Sequence, residues 1–128
     1  MRYLGGDELV YLHARMIEES GGLPGTKDET LVQTIPTRIR MTQKGQEVFS
    51  DLFVKAGTLM TLIAANQPFH DGNKRTAVAA AAIFIAMNGQ SLTASDHEIV
   101  DLCRAVERGS LDAAQVGGWL KSKSTPRA

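Results

Sequence analysis

Apolar residues recur at spacings of three and four along most of this chain, and that period predicts helices. Leu9, Leu12, Met16 and Ile17 mark one face of a first helix over about residues 7–19. Gly21-Gly22 stops it, because glycine readily takes the left-handed conformation of a helix end. A Gly-Gly-Leu-Pro-Gly loop follows over residues 21–25, and Thr26-Lys27-Asp28-Glu29 reads as a capping box opening a second helix. Pro36 ends or kinks that helix, because proline has no N–H to donate. Residues 41–46 are polar and contain Gly45, so they read as a loop, with room for a short ribbon between Ile35 and Glu47.

A long helix is expected over about residues 47–66, with Leu52, Phe53, Ala56, Met60 and Ile63 as its apolar set. A polar stretch, residues 67–72, interrupts it. The next helix, about residues 73–88, is apolar almost all round, the pattern of a central helix, and Gly89 ends it. Ser95-Asp96-His97-Glu98 is another capping box and opens a helix to about Arg108. Ser110 is placed to cap a final short helix carrying Val116, Trp119 and Leu120. The expected class is all-α: about six helices around a central apolar one, filling residues 1–121. Residues 122–128 form a polar, Pro-containing tail with no evident means of ordering itself.

Composition narrows the functions open to such a bundle. The chain has 128 residues, the size of one domain, with 14 Lys and Arg against 14 Asp and Glu. A net charge of zero argues against a broad grip on nucleic acid, which needs a clustered basic face. The single cysteine, Cys103, excludes an internal disulfide and any Cys-rich zinc site, and its apolar neighbours mark it as a core residue. The N-terminus lacks an apolar signal run, and the longest apolar stretch, residues 77–87, is about half of what a bilayer crossing requires. A cytoplasmic location is therefore expected.

One segment carries chemistry: Gln67-Pro68-Phe69-His70-Asp71-Gly72-Asn73-Lys74-Arg75-Thr76. Gly72 and Asn73 fall where loop becomes helix, and the first amides of a helix lack internal partners and carry the positive end of its dipole. Such a terminus binds anions. Lys74 and Arg75 add two cations in the first turn, where the dipole disfavours them unless an anion is bound. Phosphate suits this pair, one a point charge and the other a planar fork. Asp71 beside a phosphate site is placed to hold Mg2+. Phe69 anchors the loop in the core and Pro68 fixes the backbone entering it. The same residues also admit a structural reading, in which Asp71 caps the helix and the two cations are merely solvated.

The segment resembles the Fic/Doc signature, His-Pro-Phe-x-Asp/Glu-Gly-Asn-x-Arg, at Pro68, Phe69, Asp71, Gly72, Asn73 and Arg75. Lys74-Arg75-Thr76-Ala77 and the loop at residues 21–25 are similar to the Doc (death-on-curing) branch, and the resemblance extends over about residues 1–120. It implies a toxin of a toxin–antitoxin pair that uses ATP and Mg2+. Asp71 would then hold the metal. Phe69, Gly72, Asn73, Lys74 and Arg75 would form the nucleotide site, with Asp71, Lys74 and Arg75 acting in catalysis. The resemblance implies γ-phosphate transfer to a hydroxyl of an EF-Tu-like translation factor, and neutralisation by a Phd-like antitoxin. Gly72 is the exception, being similar to the AMP-transferring Fic branch, so both reactions stay open. Residues 41–48 match the region where such folds carry a flap that aligns the target segment by strand addition.

Position 67 departs from the pattern. The family's general base is a histidine there, and Gln67 has no titratable nitrogen. Gln67 is either an introduced replacement that quiets a toxic enzyme or the native residue of a member that binds without catalysing. His70 is the variable position of the signature and reads as a loop residue, and His13 and His97 read as structural.

Overall fold

A computed structural model describes residues 1–127. It contains six helices and two short antiparallel ribbons: α1 Gly6–Ser20, α2 Glu29–Arg38, β1 Thr42–Gln43, β2 Gln46–Glu47, α3 Leu52–Asn66, α4 Asn73–Met87, β3 Gln90–Leu92, α5 Asp96–Glu107, α6 Ala113–Ser122 and β4 Ser124–Pro126. The all-α class and the helix order match the sequence pattern. Helices α3 and α4 pack along each other, and together they occupy the middle. Around them, α6 and α2 lie against α3, and α1 lies against α4. Leu9, Val32, Leu59, Ile63, Phe69, Phe84, Ile85 and Leu120 are fully enclosed between these helices. Each such side chain stabilises the fold by about 1.5–3 kcal/mol relative to an exposed one. Among the described residues, no helix is long and apolar enough to cross a membrane.

Three helix starts differ from expectation for one reason: a better side-chain oxygen lies nearby. Helix α2 is capped by Asp28, which accepts from Leu31 N, and not by Thr26, because Thr26 is held extended in a bridge to Phe69. Helix α3 begins at Leu52 and not near Glu47, since Asp51 accepts from both Phe53 N and Val54 N, and Glu47 belongs to β2. Helix α6 is capped by Asp112, in a reciprocal box with Gln115, and not by Ser110. Pro36 falls inside the last turn of α2, which ends two residues later.

The expected ribbon exists: Thr42 pairs with Glu47 and Gln43 with Gln46 across a two-residue turn. The polar tail is ordered further than its composition suggests. Ser124–Pro126 pairs with β3, and the Arg127 amide donates to the Gly89 carbonyl at 2.9 Å. Its end, Ala128, lies outside the described residues.

Helices α3 and α6 meet almost backbone to backbone. A Cβ on Gly57 would sit 2.4 Å from the Ala113 carbonyl oxygen, and one on Gly117 would sit 2.7 Å from that of Phe53. Alanine in an isolated helix is favoured over glycine by about 1 kcal/mol. Here the sign reverses: Gly57→Ala is expected to destabilise the fold by about 1–3 kcal/mol through overpacking. Urea denaturation checks this, and an unchanged or raised midpoint would show that the two helices can part at no cost.

Candidate active site: an uncapped helix entrance

The loop between α3 and α4 is fixed from both sides. Helix α3 ends with Gln67 in the left-handed conformation (φ 48°, ψ 62°), its amide donating to the Ile63 carbonyl. Pro68 and Phe69 then turn inward and are buried. The side-chain amide of Asn73 reaches back along the loop, accepting from Phe69 N at 3.0 Å and donating to Phe69 O at 2.9 Å. His13 of α1 stacks flat on the Phe69 ring, with centroids 4.0 Å apart and planes 4° from parallel. Its Nε2–H donates to the Asp71 carbonyl at 2.7 Å, the direction that a carbonyl acceptor dictates. The loop after α1 lies alongside: Lys27 N and Asp28 N both donate to Pro68 O, and His70 N donates to Gly25 O.

Asp71 faces that neighbouring loop. Its carboxylate accepts from Leu23 N at 3.2 Å and from Gly72 N at 2.8 Å. These two bonds, the Leu23 one first, hold its carboxyl below the usual aspartate range, and the charges of Arg75 and His13 act in the same direction. Gly22 is required beside it, since a Cβ there would come 2.7 Å from the Asp71 Oδ2, and its φ of +118° suits glycine.

Helix α4 therefore starts without a cap. Gly72, at φ 73°, precedes it and offers no side chain, and no acidic residue stands in the first turn. The two residues chemically suited to cap this helix, Asp71 and Asn73, are both bonded elsewhere. The entrance opens into a cavity of about 360 Å³ lined by Gln67, Asp71, Gly72, Asn73, Lys74 and Arg75, among others. Lys74 Nζ pairs with Glu107 of α5 at 2.9 Å, and Arg75 donates to the Gly21 carbonyl at 3.1 Å. Gln67 and Lys74 also form the wall shared with a neighbouring apolar cavity of about 530 Å³, which includes Met60, Ala64, Val106 and Leu111. The arrangement can do one thing well: it can take a multiply charged anion, because orphan amides, the helix dipole and two cations converge on one concavity.

The structure brings together six of the seven residues singled out in the sequence. The seventh, Phe69, is fully enclosed and lines neither cavity, so its ring organises the loop and does not contact a ligand there. His70 is exposed, packs near Gly25, and is not bonded to the Asp71 carboxylate. Cys103 is half-buried, and burial raises its thiol pKa. Sequence reasoning missed His13 as a partner of this loop. Its signal was there: His13 lies four residues from both Leu9 and Ile17, on the inward face of α1. It also missed Glu107, which spacing along the chain could not connect to Lys74.

Comparison with known proteins agrees with this geometry. The sequence model of the Fic/DOC family matches residues 3–85. The chain belongs to that family. It is 32% identical to the protein kinase doc of Escherichia phage P1 over 121 residues, covering 94% of each chain. It is 33% identical to the toxin Doc of Mycolicibacterium smegmatis over 112 residues, covering 82% of this chain and 85% of the relative. Within the family it stands with the Doc-type toxins.

The lowered pKa of Asp71 sets a testable pH window. The tie between the two loops is fully present above the ordinary aspartate value of about 3.9. It is lost only as pH falls through Asp71's own lower value. The amide shifts of Leu23 and Gly72, followed by NMR, are expected to titrate together with a midpoint below that ordinary value. Midpoints at or above it would mean that the carboxylate does not hold the two amides.

Proposed function

We propose that this chain is the toxin of a toxin–antitoxin pair, acting in the cytoplasm, which transfers the γ-phosphate of ATP to a hydroxyl of an EF-Tu-like translation factor. The observation that carries this reading is the uncapped start of α4, with its amides, Lys74 and Arg75 turned into one cavity beside the ionised Asp71. The resemblance to a protein named as a kinase, at 32% identity over nearly the whole chain, supports phosphate as the transferred group.

In this reading each residue has a defined task. The amides of Asn73 to Arg75 and the two cations hold the phosphates and stabilise charge on the group in flight, which is most of what phosphoryl transfer asks of a protein. Arg75, already anchored on the Gly21 carbonyl, keeps further guanidinium N–H donors for phosphate oxygens. Lys74 must leave Glu107, an exposed pair of the kind that contributes little.

Mg2+ suits the donor set. The described residues contain no cluster of three or more acidic, His or Cys side chains, but Asp71 offers one ionised carboxylate, and each of its oxygens accepts only one N–H. Mg2+ is characteristically held by one or two carboxylates together with substrate phosphates. Bound there, it would neutralise phosphate charge. The antitoxin, Phd-like in this reading, would lay a helix in the apolar cleft between α1, α4 and α5, where Met16, Val78 and Ile99 are rimmed by Arg75 and Arg104.

Gln67 sits where the attacking hydroxyl must lose its proton. Its amide can orient that hydroxyl but cannot take the proton, so the chain is catalytically impaired. Its left-handed backbone is a conformation in which histidine is several-fold enriched. Gln67→His is therefore expected to be accepted by the same backbone at no greater cost than Gln67 and to raise transfer by about 10²–10⁴-fold. The assay is growth arrest on expression, together with label transfer from ATP to purified EF-Tu. Label from the γ position supports the kinase, and label from the α position would make the chain an AMP transferase, the reaction that Gly72 favours. No arrest and no label would reduce it to a binding protein.

A further inference from the structure

Lys55 lies in the first turns of α3 and is wholly buried, an environment that lysine almost never occupies without a partner. Its ammonium donates to the Ile39 carbonyl, at the end of α2, at 3.2 Å. It also donates to the Glu47 carboxylate, in β2, at 2.9 Å, and lies 5.6 Å from the centre of the Tyr3 ring. One charge thus joins the core helix, the end of α2 and the far strand of the β1–β2 ribbon.

The ribbon has little else to hold it in place. Every residue from 41 to 48 is exposed, and Met41 and Val48 at its base are about half exposed. Its own pairing is two residue pairs closed by the Val48 N to Met41 O bond. A hairpin that short is marginal by itself in water. Its tip is well shaped, because Lys44 (φ 53°) and Gly45 (φ 77°) both take the positive φ of a tight hairpin turn. At its base Met41 N donates to the Arg38 carbonyl at 3.3 Å, and the far strand is tied to α3 by the bond from Lys55 to Glu47. Among the described residues each strand of the ribbon has only the other as its neighbour, so an outer edge is free to pair with an extended segment of another protein.

We propose that Lys55 is a positioning residue for the protein substrate: by pinning Glu47 to α3 it sets where the ribbon presents its free edge to the segment carrying the target hydroxyl. The proposal rests on the transferase reading above for its functional half, while the pinning itself does not. Lys55 does not line the cavity at the start of α4, so its loss leaves nucleotide binding alone.

Two substitutions test it. Lys55→Met keeps an unbranched chain in the same channel and removes the charge, and the carboxylate left behind, Glu47, is half exposed and so stays hydrated. Glu47→Gln removes the negative charge at a half-exposed position but keeps a side-chain oxygen that can still accept from the Lys55 ammonium, so the buried cation is not left without a partner. Hydrogen exchange of residues 41–48, read by mass spectrometry, is expected to quicken by about tenfold or more in Lys55→Met, the scale set by losing a charged hydrogen bond. Glu47→Gln should quicken it less, and exchange in α3 and α4 should not change in either variant. In the Gln67→His background, both variants should raise the KM for purified EF-Tu, with the KM for ATP and kcat unchanged. Unchanged ribbon exchange in both variants would overturn the pinning. Faster exchange with an unchanged KM for EF-Tu would overturn the positioning role. If the Gln67→His parent transfers no phosphate, it is the transferase reading that fails, and the exchange data still decide whether Lys55 pins the ribbon.

Discussion

The structure depends on one local arrangement: the start of α4 is denied its natural caps. Asp71 and Asn73 are residue types that ordinarily satisfy the first amides of a helix. Here Asn73 is bonded to both backbone groups of Phe69, and Asp71 is bonded to Leu23 and Gly72. The burial of Phe69 and the stacking of His13 upon it keep that loop from relaxing toward an ordinary cap. An uncapped terminus leaves orphan N–H groups, which stay satisfied only by water or by a ligand. The protein holds them open toward a cavity, which is the physical meaning of the signature that its sequence carries.

The charges follow from that opening. Two cations in the first turn oppose the helix dipole, and the fold restrains them with a carboxylate from α5 and a carbonyl from the loop after α1. Those partners are weak and exposed, so a polyphosphate can replace the Glu107 contact and add to the Arg75 one. Gln67 belongs to the same construction. Its left-handed backbone is a strained state for an ordinary side chain, and such states persist where the surroundings impose them, often at functional sites. Membership of the Fic/DOC family is a finding independent of that geometry, which by itself suits an anion.

Much of this was legible in the sequence. Apolar spacings of three and four located α1, α3 and α6, capping signals located α2 and α5, and a run apolar almost all round located α4; the glycines at 21, 72 and 89 marked real breaks, each with positive φ. The site segment was legible because its residues are contiguous. Legibility failed where one side chain competed with another at short range, as when Asp28, Asp51 and Asp112 took the capping roles. It failed again where partners are far apart in the chain. Nothing in the spacing of Glu107 and Lys74, or of His13 and Asp71, announces that they meet. Lys55 shows a third kind of failure: nothing in the spacing marks it, yet it is wholly buried, with two acceptors for its ammonium.

The claim at the centre is that the free amides of α4 receive polyphosphate. The most direct measurement is the backbone amide spectrum of the ¹⁵N-labelled chain during titration with ATP and Mg2+. Saturable shifts are expected at Asn73, Lys74 and Arg75, moving downfield as the N–H groups gain a charged acceptor. A titration that leaves those three amides in place, or that moves only residues remote from the start of α4, would contradict it.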